Sequence, residues 1–204
     1  IALSWISGYF IFQLFNPVLF ATEGPVVAGQ MGMTLAILNA ILMFTLSWVT
    51  TKVPVFSGLI AKKQYLELDI LFNRTIIQST VLNIFGLITF FSLVFFIRFF
   101  DINFGGKNFG DRFLSFAPMV FMLIPVLLNH IIACWATYLR CHKEEPMLIQ
   151  SVAMGLLCSV STIMLGNRFG VFGMTLGYMV LTIISFIWTY FIFKSKKKEW
   201  HDGK

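Results

Sequence analysis

Ile77-Gln78-Ser79-Thr80-Val81-Leu82-Asn83-Ile84-Phe85-Gly86-Leu87-Ile88-Thr89-Phe90-Phe91-Ser92-Leu93-Val94-Phe95-Phe96-Ile97 runs without a charge until Arg98. A helix rises about 1.5 Å per residue, so this stretch is long enough to cross a hydrocarbon core of about 30 Å. Its Phe-rich half, Phe90–Ile97, would also suit a buried strand in a soluble protein. Length and recurrence decide the matter. A membrane barrel would alternate apolar and polar residues over segments of about ten, whereas this chain repeats long unbroken runs. With 77–98 as one, six stretches qualify as spans: roughly 1–20, 26–50, 77–98, 115–139, 147–165 and 170–193.

Composition agrees. Apolar residues make up 58% of the 204, charged residues 12%, and Phe alone occurs 24 times. Mean hydropathy is +0.84. A soluble domain of this size needs about 25% charged residues to cover its surface, so the fold class expected is all-α, a polytopic membrane helix bundle. The chain opens on Ile1-Ala2-Leu3-Ser4-Trp5, inside a hydrophobic run, with no basic region before it and no small-residue cleavage site after it. It therefore reads as a span at the cut edge of a longer protein rather than as a signal peptide. Cys134, Cys141 and Cys158 form no CxxC pair, and an odd count does not build a disulfide framework.

The net charge of +6 is distributed as membrane topology, not as a nucleic-acid footprint. With the C-terminus inside, the inner segments carry Lys52, Lys62, Lys63, Arg74, Arg140, Lys143, Lys194, Lys196, Lys197, Lys198 and Lys204. The outer ones carry Arg98, Lys107, Arg112 and Arg168. The positive-inside rule then places both ends of the segment in the cytoplasm. The inner connector, about 55–74, repeats apolar residues (Leu59, Ile60, Leu66, Ile70, Leu71) near helical spacing among charges, which predicts an amphipathic interfacial helix. The outer stretch Asp101–Asp111, with Gly105, Gly106 and Gly110, reads as a flexible loop. Residues 194–204 read as a basic cytoplasmic tail, solvated and paired with anionic lipid.

Catalytic and metal motifs are missing from this pattern. There is no phosphate loop, no GxSxG, no HExxH and no Cys/His set with metal spacing. No carboxylate lies deep in a span, so paired acid–base carboxylates and an in-membrane ion relay are not expected here. The expectation is no enzyme, no metal and no cofactor. Uncharged polarity at membrane depth is what the spans offer. The candidates for a substrate path are Asn16, Gln30, Asn39, Asn83, Asn129 and His130, with Lys52 and Arg140 at inner helix ends. Each admits two readings. Amides in hydrocarbon need a partner or water, so they serve either as interhelical hydrogen bonds or as the lining of a hydrated path. A neutral His can both donate and accept, which suits hydroxyl-rich or phosphate-bearing cargo. Lys52 and Arg140 either snorkel to the interface or meet an anionic headgroup.

Small residues spaced four apart mark close helix packing. They are Ala28, Gly32, Ala36 and Ala40; Ser151, Gly155 and Ser159; and the pairs Gly166/Gly170 and Gly173/Gly177. Pro118 and Pro125 place a possible bend in the fourth span.

Four stretches carry a resemblance. They are Glu23-Gly24-Pro25-Val26-Val27-Ala28-Gly29-Gln30-Met31-Gly32-Met33; Thr51-Lys52-Val53-Pro54 with Leu59-Ile60-Ala61-Lys62 and Leu68-Asp69-Ile70-Leu71-Phe72; Tyr138-Leu139-Arg140-Cys141-His142-Lys143-Glu144-Glu145-Pro146; and Leu165-Gly166-Asn167-Arg168-Phe169-Gly170 with Gly173 and Gly177. Together they are similar to the C-terminal lobe of polysaccharide flippases in the multidrug/oligosaccharidyl-lipid/polysaccharide exporter superfamily, whose members include O-antigen transporters. The resemblance implies two six-helix lobes flanking a cavity that opens alternately to either side of a bacterial inner membrane. It also implies an undecaprenyl-pyrophosphate-linked oligosaccharide as cargo. This chain would supply one lobe, with an N-terminal lobe of the same protein, the lipid-linked oligosaccharide and membrane lipid as its partners. The cationic lining attributed to the N-terminal lobe has no counterpart here, so no substrate residue is carried over.

Three functions remain in play. A flippase of lipid-linked oligosaccharide leads. A cation-coupled multidrug exporter of the same superfamily would need an acidic membrane residue that these spans do not offer. A cargo-free membrane scaffold would need only the packed helices.

Overall fold

The computed structural model describes residues 13–104 and 107–202, so the predicted span 1–20 falls mostly outside the described residues. What is described of it is α1 (Phe15–Thr22). The chain then turns at Glu23-Gly24, where Gly24 takes φ 89, and Pro25 opens α2 (Pro25–Thr50). Glycine reaches that backbone without penalty, and proline is pre-set for the first helical turn.

The inner connector divides where the sequence reading placed one amphipathic helix. Its first part is α3 (Val53–Ala61). After a turn in which Lys63 adopts φ 57, residues 65–74 are the opening turns of α4 (Tyr65–Phe99). The physical reason is an unbroken stripe. Leu68, Phe72, Thr75, Ser79, Asn83, Leu87, Phe90 and Val94 are all buried at three- and four-residue spacing, with no Pro or Gly before Gly86 to interrupt it.

Of the stretch read as an outer loop, Gly105 and Gly106 lie outside the described residues, and the part from 109 to 114 is fastened rather than free. Asn103 pairs with Asn108 and Phe104 with Lys107 in a two-residue ladder, β1 (Asn103–Phe104) and β2 (Lys107–Asn108). A 3₁₀ turn follows at Phe109–Arg112. The Arg98 guanidinium donates to the carbonyls of Gly110 (3.0 Å), Phe113 (2.9 Å) and Leu114 (3.0 Å). Gln30 Nε2 donates to Asp111 O at 2.7 Å. The loop is thereby sewn to the ends of α4 and α2 before α5 (Phe116–Arg140) begins.

The last helix, α6 (Leu148–Asp202), is broken at Gly170 (φ 60, ψ −148) into arms 148–169 and 171–202. The arms fold back on each other. A Cβ on Gly166 would lie 2.8 Å from Met174, one on Gly177 would strike Leu165 and Ser161, and Gln150 Nε2 donates to Ser185 Oγ at 2.6 Å. These contacts join residues before 170 to residues after it in reverse order, the signature of an antiparallel hairpin, with glycines at close approaches of the two arms. The expected spans 147–165 and 170–193 are its arms. The second arm continues as helix to Asp202, so the basic tail is not a loose solvated end: Lys197 Nζ meets Asp69 Oδ2 on α4 at 2.9 Å.

Among the described residues, four helical stretches are long and apolar enough to cross a membrane: Pro25–Ala61, Tyr65–Phe99, Phe116–Arg140 and Leu148–His201, the last folded at Gly170. Their outward faces are apolar. Phe44 is 71% exposed, Phe85 69% and Leu156 66%. A soluble fold does not leave such a surface to water; a bilayer covers it. The small-residue ridge read on α2 is only partly used. Ala28 is buried and Gly32 packs against Asn16, whereas Ala36 and Ala40 are exposed. The packed stripe is Met31, Leu35, Leu38, Leu42, Thr45 and Val49, because these larger side chains fill the space against α4 and α5.

Candidate functional site: polar clusters at membrane depth

Two groups of polar side chains lie inside the bundle, on different faces of α5 (Phe116–Arg140). The first joins α2, α4 and α5. Thr45, Ser79, Asn83, His130 and Cys134 are each at most 2% exposed. Asn83 Nδ2 donates to Thr45 Oγ1 at 3.0 Å. The same oxygen lies 3.3 Å from His130 Nδ1, and His130 Nε2 lies 3.2 Å from Ser79 Oγ and 3.7 Å from Cys134 Sγ.

The proton count follows from the hydroxyls. Thr45 has one proton, and Ile41 O accepts it at 2.9 Å. Its oxygen is then an acceptor for both Asn83 and a His130 Nδ1–H. Nε2 is left to accept, from Cys134 or from a Ser79 hydroxyl turned away from Ile76 O. One neutral imidazole thus ties three helices. Asn83 Oδ1 alone stays buried without a partner.

The second group faces the α6 hairpin. Asn129 Nδ2 donates to Tyr178 Oη at 2.8 Å, and Phe15 of α1 meets the Tyr178 ring edge-on at 5.3 Å. Next to this contact is a cavity of about 220 Å³ walled by Leu42, Asn129, Ala133, Met154, Cys158, Tyr178, Thr182 and Ser185. α2, α5 and both arms of α6 each contribute. Asn129 is the fourteenth of the 25 residues of α5, which puts the cavity near the bilayer midplane.

The other candidates scatter. Asn16 lies against Gly32 with Oδ1 buried and unpartnered. Gln30 is committed to the outer loop. Asn39 is half-buried on α2, and Lys52 is exposed at the turn between α2 and α3. Arg140 forms an ion pair with Glu145 at 3.4 Å on the rim of a smaller cavity of about 150 Å³ that reaches Gln150. The structure therefore brings Asn83 and His130 together, sets Asn129 on a different face of α5, and leaves Gln30, Lys52 and Arg140 at the helix ends.

Several residues that build these clusters went unread in the sequence: Thr45, Ser79, Tyr178, Thr182 and Ser185. A signal for them exists. Thr175, Tyr178, Thr182, Ser185 and Thr189 recur at spacings of three and four on the second arm, and all are buried. Thr175 and Thr182 return their protons to carbonyls four residues back, at 2.8 Å each, the usual way a hydroxyl is tolerated in a membrane helix. At the basic end of the bundle, Tyr138 Oη donates to Asp69 Oδ1 at 3.0 Å and sits 3.1 Å from His201 Nε2. Just past α5, burial pushes the Cys141 thiol up from its ordinary range, with a hydrogen bond from Ser57 opposing in part. No family model, curated protein or solved structure matches the chain.

Proposed function

We propose that this chain forms a six-helix lobe of an alternating-access transporter that moves a lipid-linked oligosaccharide across a bacterial inner membrane, with both ends of the segment in the cytoplasm and a second lobe as its partner. The carrying observation is the cavity at mid-membrane depth between α2, α5 and the α6 hairpin, edged by Asn129, Tyr178, Thr182 and Ser185. A hydroxyl-rich cargo needs donors and acceptors on an otherwise apolar wall, and this wall offers both. The similarity of the loop stretches to polysaccharide flippases supports the same reading. The test is deletion of the full-length gene in a strain without a redundant flippase. Lipid-linked repeat units should accumulate on the inner leaflet, and normal surface polysaccharide would refute the reading.

A second reading, a cargo-free scaffold, is favoured by one observation. The His130 network is completely enclosed, as interhelical glue would be. Absence of any transport defect, together with loss of a partner complex on deletion, would select it.

A further inference from the structure

The second arm of α6 is longer than a membrane is thick. Residues 171–202 make a helix of about 48 Å at 1.5 Å per residue, against a hydrocarbon core of about 30 Å. The break at Gly170 holds one end at the opposite surface, so the helix leaves the core near residue 190. Trp188 and Tyr190 stand at that level, where amphipathic aromatics settle. Beyond it come Lys194, Lys197, Lys198 and His201, at i, i+3, i+4 and i+7, on one face of a continuous helix.

That face is shaped. Tyr190, Phe193, Lys194, Lys197, Lys198 and His201 line a shallow cavity of about 410 Å³. Its rear wall is anchored: Lys197 is fixed by Asp69 at 2.9 Å, while His201 stacks on Tyr65 at 4.6 Å and contacts Tyr138. Its front is open, with Lys194 and Lys198 exposed. Glu199 lies off this face and is occupied by Lys196 at 2.8 Å, so among the described side chains Asp69 is the carboxylate that meets a lysine of the cavity. Two ammonium groups are left to meet an anion, above an aromatic shelf that faces the acyl region.

We propose that this cavity is a discrete binding site for the phosphate of an anionic phospholipid, seated one headgroup at a time between Lys194 and Lys198 with its glycerol on Tyr190 and Phe193. The proposal stands apart from the transport reading. A diffuse basic tail would treat all its cations alike; a built site does not. The height of the lysines above the aromatic level, about 6–12 Å along the helix from Tyr190, matches the headgroup layer and selects a lipid over a soluble partner.

The test is native mass spectrometry of the full chain in detergent, titrated with phosphatidylglycerol or phosphatidylcholine. The wild type should hold one phosphatidylglycerol in preference to phosphatidylcholine. The double variant Lys194→Gln/Lys198→Gln should bind it about 25-fold more weakly, roughly 5-fold per lysine. Lys62→Gln/Lys63→Gln, at the same end of the bundle, should leave binding unchanged. Equal weakening by the two double variants would reduce the site to diffuse charge and overturn the proposal, as would equal retention of the two lipids. Displacement of phosphatidylglycerol by millimolar inorganic phosphate would assign the cavity to free phosphate instead, and also overturn it. Both variants alter exposed side chains, and an unchanged unfolding temperature separates lost binding from lost fold.

Discussion

Replacing Gly170 by Ala should cost the α6 hairpin most of its turn. Gly170 holds φ 60, ψ −148, a region that side-chain-bearing residues reach only with about 1–3 kcal/mol of strain. The position is also crowded. A Cβ there would overlap the Glu23 carboxylate, whose Oε1 accepts the Val171 N–H at 2.9 Å. That contact caps the start of the second arm and ties it to the turn between α1 and α2. Displacing it adds about 1 kcal/mol, kept low because the pair is exposed. The sum is about 2–4 kcal/mol, or a fall of about 5–10 °C in unfolding temperature for a chain of this size. The chain supplies its own reporter: Cys134 is fully buried away from the cavity, so with Cys141 and Cys158 replaced by Ser a dye that fluoresces on reacting with thiols reads unfolding in detergent directly. Glu23→Gln retains an acceptor and should lower the midpoint by about 2 °C only. A Gly170→Ala protein melting within about 2 °C of wild type would refute the claim that this glycine makes the turn.

Three further outcomes are expected. In a Cys141→Ser/Cys158→Ser background, which removes the native thiol that lines the cavity, a cysteine at Asn129 should react with small water-soluble maleimides while one at Asn83 stays inert, since the first edges the cavity and the second is fully enclosed; equal reactivity would contradict the division into two clusters. His130→Leu should lower stability by only about 1 kcal/mol, read from denaturation in mild detergent, because Thr45 and Ser79 keep backbone acceptors in Ile41 and Ile76. A loss of about 3 kcal/mol or more would mean the imidazole supports something these contacts do not describe. Alkylation of Cys141 by iodoacetamide should be slow at pH 8 and climb only beyond the pH, about 8.5, at which an ordinary thiol is half ionised. Its raised pKa leaves less thiolate at a given pH, so a rate already levelling off near pH 8 would show the opposite shift.

The helices were legible because apolar length alone writes them, and the bounds of α2 and α5 fall within a residue or so of the expected 26–50 and 115–139. The connector was not, because amphipathic periodicity says which face is apolar but not whether a helix stops. Nothing between Tyr65 and Arg74 breaks it, so it runs straight into the span. The tail misled for a related reason. Four lysines within Lys194–Lys198 suggest solvation, but hydrogen-bonded helix propagates once a long arm has nucleated it, and Asp69 then offers Lys197 an anchor 128 residues away in sequence. The Ala36/Ala40 ridge failed by the same logic. Spacing identifies a smooth face without naming the neighbour that uses it.

Asn129 and His130 show where sequence reading of a site ends. They are adjacent, equally deep and equally polar, and a hydropathy profile gives them one value. A helix turns about 100° per residue, so they leave α5 in different directions. His130 enters a dry knot of Thr45, Ser79 and Asn83; Asn129 enters the cavity beside Tyr178. What separates packing from a path is therefore the neighbour each meets, and both neighbours are written in the sequence as hydroxyl stripes: Thr75 and Ser79 leading to Asn83 on α4, and Thr175 through Thr189 on α6. The first stripe ends in an amide and closes on an imidazole, using nearly every donor it has. The second borders open volume, with Tyr178, Thr182 and Ser185 in the wall of the cavity. Polar groups that satisfy one another hold helices together, whereas polar groups facing unfilled space remain available to water or cargo. On the transport reading proposed above, the path would run on the α6 side of α5, where Asn129, Thr182 and Ser185 border the cavity, and the histidine would belong to the frame.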